Sequence, residues 1–162
     1  MIQAITEVGV AVRDLSQATA LLVQRLGAVP GPVQRFEPYS MAFCMCRVGN
    51  VDFELMAPLG TEGVIARFLD RHGEGLHHIG FAVDDVAAMQ QQAGERGLQF
   101  VDAAPRRQRL LLRDFAGRDS AGDCAFSFSR PDSLLGMLVE FIQYPPGFAL
   151  GPLDPPAAGS AP

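Results

Sequence analysis

The chain reads as an α+β domain built from two copies of one β-α-β-β-β module, and three observations carry that reading. Glu7-Val8-Gly9-Val10-Ala11-Val12-Arg13-Asp14-Leu15 aligns without gaps on His78-Ile79-Gly80-Phe81-Ala82-Val83-Asp84-Asp85-Val86, sharing Gly, Ala, Val and Asp. Self-similarity at a fixed offset marks a duplicated structural unit. Each copy then runs into apolar residues at helical spacing. Each also ends in a mostly apolar segment that carries one Glu, Glu54 in the first and Glu140 in the second.

The elements follow in order. Residues 7–12 and 78–83 are apolar-rich strands. Leu15, Ala18, Leu22 and Leu26 recur at spacings of three and four and predict the first helix, with Gly27 as its stop. Val86, Met89 and Ala93 predict the equivalent helix, ended by Gly97. Asp14 and Asp85 stand where a carboxylate favours a helix N-terminus. Residues 41–48 and 51–56 read as strands joined by the turn pair Gly49-Asn50. In the second copy, residues 98–102, 123–129 and 136–142 read as strands, and Phe126 and Phe128 alternate with Ser127 and Ser129 as a half-buried strand requires.

One domain, residues 1–145, therefore contains modules 1–59 and 76–145 and a linker helix within 60–75. Val64, Ile65, Phe68 and Leu69 give that helix (residues 62–71) its apolar face, and Thr61 is its expected cap. Residues 103–122 are an Arg-rich loop of a length that is usually functional or mobile. Residues 146–162 form a Pro/Gly-rich tail, read as extended or disordered.

Composition bounds the function. The 162 residues are 48% apolar and 19% charged, which suffices for one packed core. All 13 cationic side chains are Arg, and the 18 acids leave a net charge of −5, with no basic stripe for nucleic acid. No apolar run approaches the roughly 18 residues of a membrane span. Met1-Ile2-Gln3-Ala4 lacks the features of a secretory signal. Cys44, Cys46 and Cys124 are odd in number and contain no C-x-x-C, so they read as small buried residues in a reducing, cytoplasmic compartment.

Taken singly, Glu7, Glu54, His78 and Glu140 each have an ordinary structural reading: a solvent-facing strand Glu, or a hydrogen-bonded His. The repeat groups them. Glu7 and His78 occupy one equivalent position, and Glu54 and Glu140 another, so a pseudo-twofold arrangement converges all four. Three close carboxylates repel and raise each other's pKa unless a cation neutralises them. One imidazole and three carboxylates suit a divalent Co, Mn, Ni, Zn or Fe ion. His77 is expected to face away from His78, because neighbours on a strand point to opposite faces.

The sequence resembles the vicinal oxygen chelate (glyoxalase / bleomycin resistance / dioxygenase) superfamily, and within it the methylmalonyl-CoA epimerases. The resemblance rests on Phe53-Glu54-Leu55-Met56-Ala57-Pro58-Leu59-Gly60, Ile65-Ala66-Arg67-Phe68-Leu69, Gly73-Glu74-Gly75-Leu76-His77-His78-Ile79-Gly80, Val83-Asp84-Asp85 and Met137-Leu138-Val139-Glu140. It implies a curved mixed sheet of glyoxalase-like fold cradling a metal held by Glu54, His78 and Glu140. It also implies a homodimer. The family places a His where this chain has Glu7, and its loop before the last two strands is replaced here by the Arg-rich segment ending in Arg130-Pro131.

The implied activity is proton abstraction next to a carbonyl, as in an epimerase or isomerase, with Glu140 as the first acid–base group and Glu7, or alternatively Glu54, as the candidate for the second. An acyl-CoA substrate needs cations for its phosphates, and Arg106, Arg107, Arg109 and Arg113 are the candidates. The rival readings are a glyoxalase-like lyase on a small carbonyl compound, a ring-cleaving dioxygenase disfavoured by Glu7, and a metal-free small-molecule-binding relative.

Overall fold

A computed structural model describes residues 1–150. Its strands are β1 (Ile2–Ala11), β2 (Val29–Phe36), β3 (Met41–Val48), β4 (Val51–Pro58), β5 (Gly75–Val83), β6 (Arg106–Arg113), β7 (Asp119–Phe128) and β8 (Val139–Gln143). Its helices are α1 (Leu15–Leu26), α2 (Val64–His72) and α3 (Val86–Glu95). The strands form one sheet in the order β2-β3-β4-β1-β5-β8-β7-β6. The second half of that order repeats the first in reverse, as a pseudo-twofold axis between β1 and β5 requires. The central pair is antiparallel, while β1/β4 and β5/β8 are parallel.

Local chemistry explains the boundaries. Asp14 and Asp85 are both helix caps, accepting from the backbone N–H groups of Gln17 and Ala88 at 2.9 Å. Gly27 ends α1 in the left-handed conformation, φ 65°, donating its N–H to Val23. Val48 pairs with Val51 across the Gly49-Asn50 turn. Gly63, not Thr61, occupies the cap position of α2, which begins two residues later than expected.

Two strands were not anticipated. β2 contains Pro30, Gly31 and Pro32, which mask a strand unless it lies at a sheet edge, where β2 does lie. The expected Arg-rich loop contains β6 and the start of β7. β6 alternates half-buried and exposed residues along its whole length, a period hidden by the Arg and Gln side chains. Residues 98–102, expected as a strand, contribute only an isolated bridge between Phe100 and Ser129.

The sheet curls until its two edges meet. The Gln34 side-chain amide donates to the carbonyl of Leu111 (3.0 Å) and accepts from its N–H (2.9 Å), acting as a one-residue stitch between β2 and β6. Outside the curve, α1 covers Cys44, Cys46 and Leu55, and α3 covers Ala125, Val139 and Phe141. Cys44, Cys46 and Cys124 are all buried and free, as composition suggested. Inside, Ile65 and Leu69 of α2 join Met41, Phe43 and Met56 in one apolar cluster.

The first tail residues are packed: Phe148 stacks on Tyr144 at 4.1 Å, and the Phe115 N–H donates to the carbonyl of Ala149. Residues 151–162 of the expected tail lie outside the described residues. No helix among the described residues is long and apolar enough to cross a membrane.

Candidate metal centre

The four strands at the middle of the sheet each contribute one polar side chain to its concave face: Glu54 from β4, Glu7 from β1, His78 from β5 and Glu140 from β8. The register sets them in two rows. Gly9 stands between Glu54 and His78, and Gly80 stands between Glu7 and Glu140. These two glycines, equivalent in the repeat, clear the floor. A Cβ at Gly9 would overlap the His78 imidazole, and one at Gly80 would overlap the Glu7 side chain.

His78 Nε2 lies 3.2 Å from Glu140 Oε2, 3.5 Å from Glu54 Oε2 and 3.7 Å from Glu7 Oε1. Glu7, His78 and Glu140 offer donor atoms within 4.8 Å of one another and are 4%, 4% and 7% exposed. His78 Nε2 is fully buried and has no hydrogen-bond partner. Buried carboxylates this close to one another need a neighbouring cation, which either a protonated His78 or a bound metal ion supplies. A divalent cation would satisfy Glu7, His78 and Glu140 together, so these three fit a metal; Glu54, expected as a fourth ligand, approaches His78 but is not part of that close group.

The electrostatics agree. Burial raises the Glu140 carboxyl well above its usual range, and the charge of Glu7 adds to that. Burial, then Glu7, pushes Glu54 up to about 7. Burial also opposes ionisation of Glu7, but its contacts with His78 and Glu140 outweigh this and hold its carboxyl below the usual value. Burial opposes a charge on His78, yet Glu140 and Glu7 overcome it and raise its pKa.

His77 does not turn away as expected. In the β1/β5 register Gly9 faces His78 while Val10 faces Leu76, so His77 is the extra residue of a β-bulge. A bulge breaks the strict alternation of side chains. The His77 ring lies on the cavity lining, its Nδ1 is 3.1 Å from His78 Nδ1, and it packs on Phe68. Thr6, its equivalent in the first copy, is likewise the extra residue between Ile5 and Glu7. The Tyr144 hydroxyl donates to Thr6 Oγ1 at 3.2 Å.

Of the arginines proposed for substrate, Arg106 reaches the cavity lining. Its guanidinium binds Asp102 at 2.6 Å and lies 5.0 Å from the Tyr39 ring. Arg107, Arg109 and Arg113 alternate with it onto the outer face and are exposed. Arg109 and Arg113 have Asp123 and Asp119 within 3.9 Å and 3.7 Å. The cavity over the four-residue cluster has a volume of about 250 Å³. Sequence reasoning did not assign Gly9 and Gly80 their role, although the repeat displayed both as identities. It missed the β6 wall because its strand went unrecognised.

Residues 6–116 match the Glyoxalase/Bleomycin resistance protein/Dioxygenase superfamily. The chain is 34% identical over 98 residues to an ethylmalonyl-CoA/methylmalonyl-CoA epimerase of Cereibacter sphaeroides, covering 60% of this chain and 73% of that protein. It is 28% identical over 140 residues to the mitochondrial methylmalonyl-CoA epimerase of Bos taurus, covering 86% and 73% of the two chains. The solved structure of methylmalonyl-CoA epimerase from Mycobacterium tuberculosis is similar with a TM-score of 0.75 and 26% identity, over 90% of both chains. By this match, by its repeat and by its sheet order, the chain belongs to the glyoxalase/bleomycin resistance/dioxygenase superfamily.

Proposed function

We propose that this protein is a metal-dependent epimerase or isomerase that abstracts a proton next to the carbonyl of an acyl-CoA thioester. The observation that carries the reading is the orphaned His78 Nε2 facing Glu7, Glu54 and Glu140 at the floor of the cavity. Glu7, His78 and Glu140 would hold the ion, with Glu54 beside them, and its identity lies among Co, Mn, Ni, Zn and Fe. When bound, it supplies Lewis-acid polarisation of substrate oxygens.

The protein's own groups do the proton transfer. Glu140 takes the proton from the carbon, and the C–H electron pair moves into the carbonyl as an enolate. Return of a proton to the opposite face inverts the carbon, and Glu7 is the second acid–base group. Three carboxylates around a dication leave one negative charge, which weakens enolate stabilisation relative to a site with two imidazoles. The relatives named above act on methylmalonyl-CoA by name, and that substrate is the first to test.

Metal-loaded protein incubated with methylmalonyl-CoA in D₂O is expected to place deuterium at C2, read by mass spectrometry. Glu140→Gln is expected to lower the rate by about 10²-fold or more. No incorporation above the metal-only control removes this substrate. The cavity volume, below the usual range of roughly 300–1,000 Å³ for ligand sites, favours one second reading, a lyase acting on a small carbonyl compound. Conversion of a small 2-oxoaldehyde adduct in place of C2 exchange selects it. Homodimerisation belongs to the proposal on the resemblance alone; sedimentation at a dimer mass supports it, and a monomer mass removes it.

A further inference from the structure

Behind the cavity wall built by β3 lies a pair of thiols that the proton transfer does not use. Cys44 and Cys46 stand two apart on β3, so both side chains point to its outer face, under α1. Their sulfurs are 3.8 Å apart, and both residues are buried and free. The Cys44 sulfur also lies 3.4 Å from the carbonyl oxygen of Gly31. Contact with the Cys46 thiol lowers the Cys44 thiol to about 7 against the opposing effect of burial, and the same contact raises Cys46. The thiolate is the nucleophilic form of cysteine, so Cys44 is the member that attacks first.

Two features leave this pair room to react. Opposite it, β2 carries Pro30 and Pro32, which have no N–H to give the ladder. Pro30 pairs with Cys46 and Val33 with Cys44, so Gly31 and Pro32 together face Met45 in a bulge. β3 is therefore loosely held on that side. The second feature is the cover. α1 has no buried residue, whereas α2 buries Ile65, Ala66 and Leu69 and α3 buries Val86 and Ala93. An element with so little buried surface belongs to the low-stability end of a fold and opens locally.

Met45, between the two cysteines, points the other way. It lies on the cavity lining and pairs with Glu54 of β4. A disulfide needs its β-carbons about 3.5–4.5 Å apart and its α-carbons no more than about 6.8 Å apart. Residues two apart on an extended strand stand near that limit, at about 6.4–6.8 Å. Closing the bond therefore draws β3 into a bend centred on Met45.

We propose that Cys44 and Cys46 are a redox-sensitive modification site, a dithiol that a peroxide closes to a disulfide and a dithiol reductant reopens, and that closure shifts Met45 on the cavity wall beside Glu54. The Cys44 thiolate attacks one peroxide oxygen and breaks the O–O bond. The products are a sulfenic acid and hydroxide, which takes up the proton that Cys44 had released. Oxidation removes the Cys44 charge that kept the proton on Cys46. The Cys46 sulfur then attacks the Cys44 sulfur, and its proton leaves with the displaced hydroxide as water. In sum, two thiols and one hydrogen peroxide give one disulfide and two waters.

The test uses the full chain labelled with methyl-¹³C methionine. One equivalent of hydrogen peroxide is expected to consume the thiols of Cys44 and Cys46 and to spare Cys124. Peptide mass spectrometry should place the loss of two hydrogens on the segment that holds both. The Met45 methyl signal, assigned with Met45→Leu, should shift on oxidation and return on adding dithiothreitol. A dithiol does not reverse methionine oxidation, which separates the two reactions. Cys46→Ala should halt at a sulfenic acid on Cys44, trapped by dimedone. Leu22→Ala, which loosens α1 over the thiols, should speed disulfide formation at least about tenfold. Thiols that survive in the folded chain but react in urea overturn the proposal. A pairing with Cys124 or between chains does the same, as does a disulfide that leaves the Met45 signal in place. An unchanged rate in Leu22→Ala removes the route through α1. Metal affinity should fall about tenfold on oxidation. If no metal binds in either state, the metal reading alone fails, and the Met45 signal still decides the switch.

Discussion

In the first repeat Glu7 extends over Gly80 of the second; in the second repeat His78 extends over Gly9 of the first. Each copy thus supplies one polar side chain to the floor and clears the space for the other's. The bulges follow the same rule: Thr6 and His77 are the extra residues beside Glu7 and His78. What differs is chemistry. Thr6 accepts a hydrogen bond from Tyr144, whereas the His77 ring meets the His78 ring directly. Glu54 and Glu140 keep the same side chain at the second equivalent position. The two copies share the backbone devices that build the site and differ in the donor atoms they bring to it. Neither half holds the site alone, because each row of the floor takes residues from both.

The largest effect is expected from breaking the shared device. Gly9→Ala and Gly80→Ala drive a Cβ into His78 and Glu7, and each should lower metal affinity at least about 100-fold and cost about 1–3 kcal/mol or more of stability. Gly94→Ala, on α3 with open space around it, is the control and should be neutral or slightly stabilising. Metal titration followed by thermal unfolding reads both quantities. Unequal behaviour of the Gly9 and Gly80 variants would break the equivalence of the halves.

The bulge residues test where the halves diverge. A ring nitrogen that orients a ligating imidazole is commonly worth about 10–100-fold in metal affinity, and His77→Ala should show a loss of that size. Thr6→Val, its counterpart, should leave metal affinity unchanged and lower the melting temperature by only a few degrees. A His77→Ala protein that binds metal normally would assign that ring to packing on Phe68 instead.

Titration separates Glu7 from its partners. A carboxyl whose pKa is raised by folding keeps its proton longer in the folded than in the unfolded chain. Metal-free protein should therefore lose stability as pH climbs from about 4.5 to about 7, the range over which Glu54 is shifted. Metal affinity should rise over the same range, as protons cease to compete. The Glu7 charge raises both Glu54 and Glu140, so Glu7→Gln should move the metal-binding midpoint to lower pH. The smallest effect belongs to the seam: Gln34→Ala removes two partly exposed hydrogen bonds at about 1 kcal/mol each or less, a melting shift of a few degrees.

The sequence displayed the parts of the fold that depend on periodicity and on the repeat. The helices, their Asp caps, the Gly49-Asn50 hairpin and the inward set Glu7, Glu54, His78 and Glu140 were legible, because each follows from local pattern or from one alignment. β2 and β6 were not, because Pro in one and Arg in the other disguise a strand whose status depends on lying at an edge. The direction of His77 is hidden from the sequence for a related reason. A bulge is a property of paired strands, and no single strand announces it. The division of Arg106 from Arg107, Arg109 and Arg113 follows at once when β6 is recognised, since a strand sends alternate residues to opposite faces.

Whether the converging side chains form a divalent-metal site is decided by metal analysis of protein purified without chelator. About one equivalent of a transition metal per chain is expected, or restoration of that stoichiometry with a rise in melting temperature on adding Mn²⁺, Co²⁺, Ni²⁺ or Zn²⁺, and loss of both in His78→Ala. Less than about a tenth of an equivalent, with no thermal shift from any of the four ions, would contradict it.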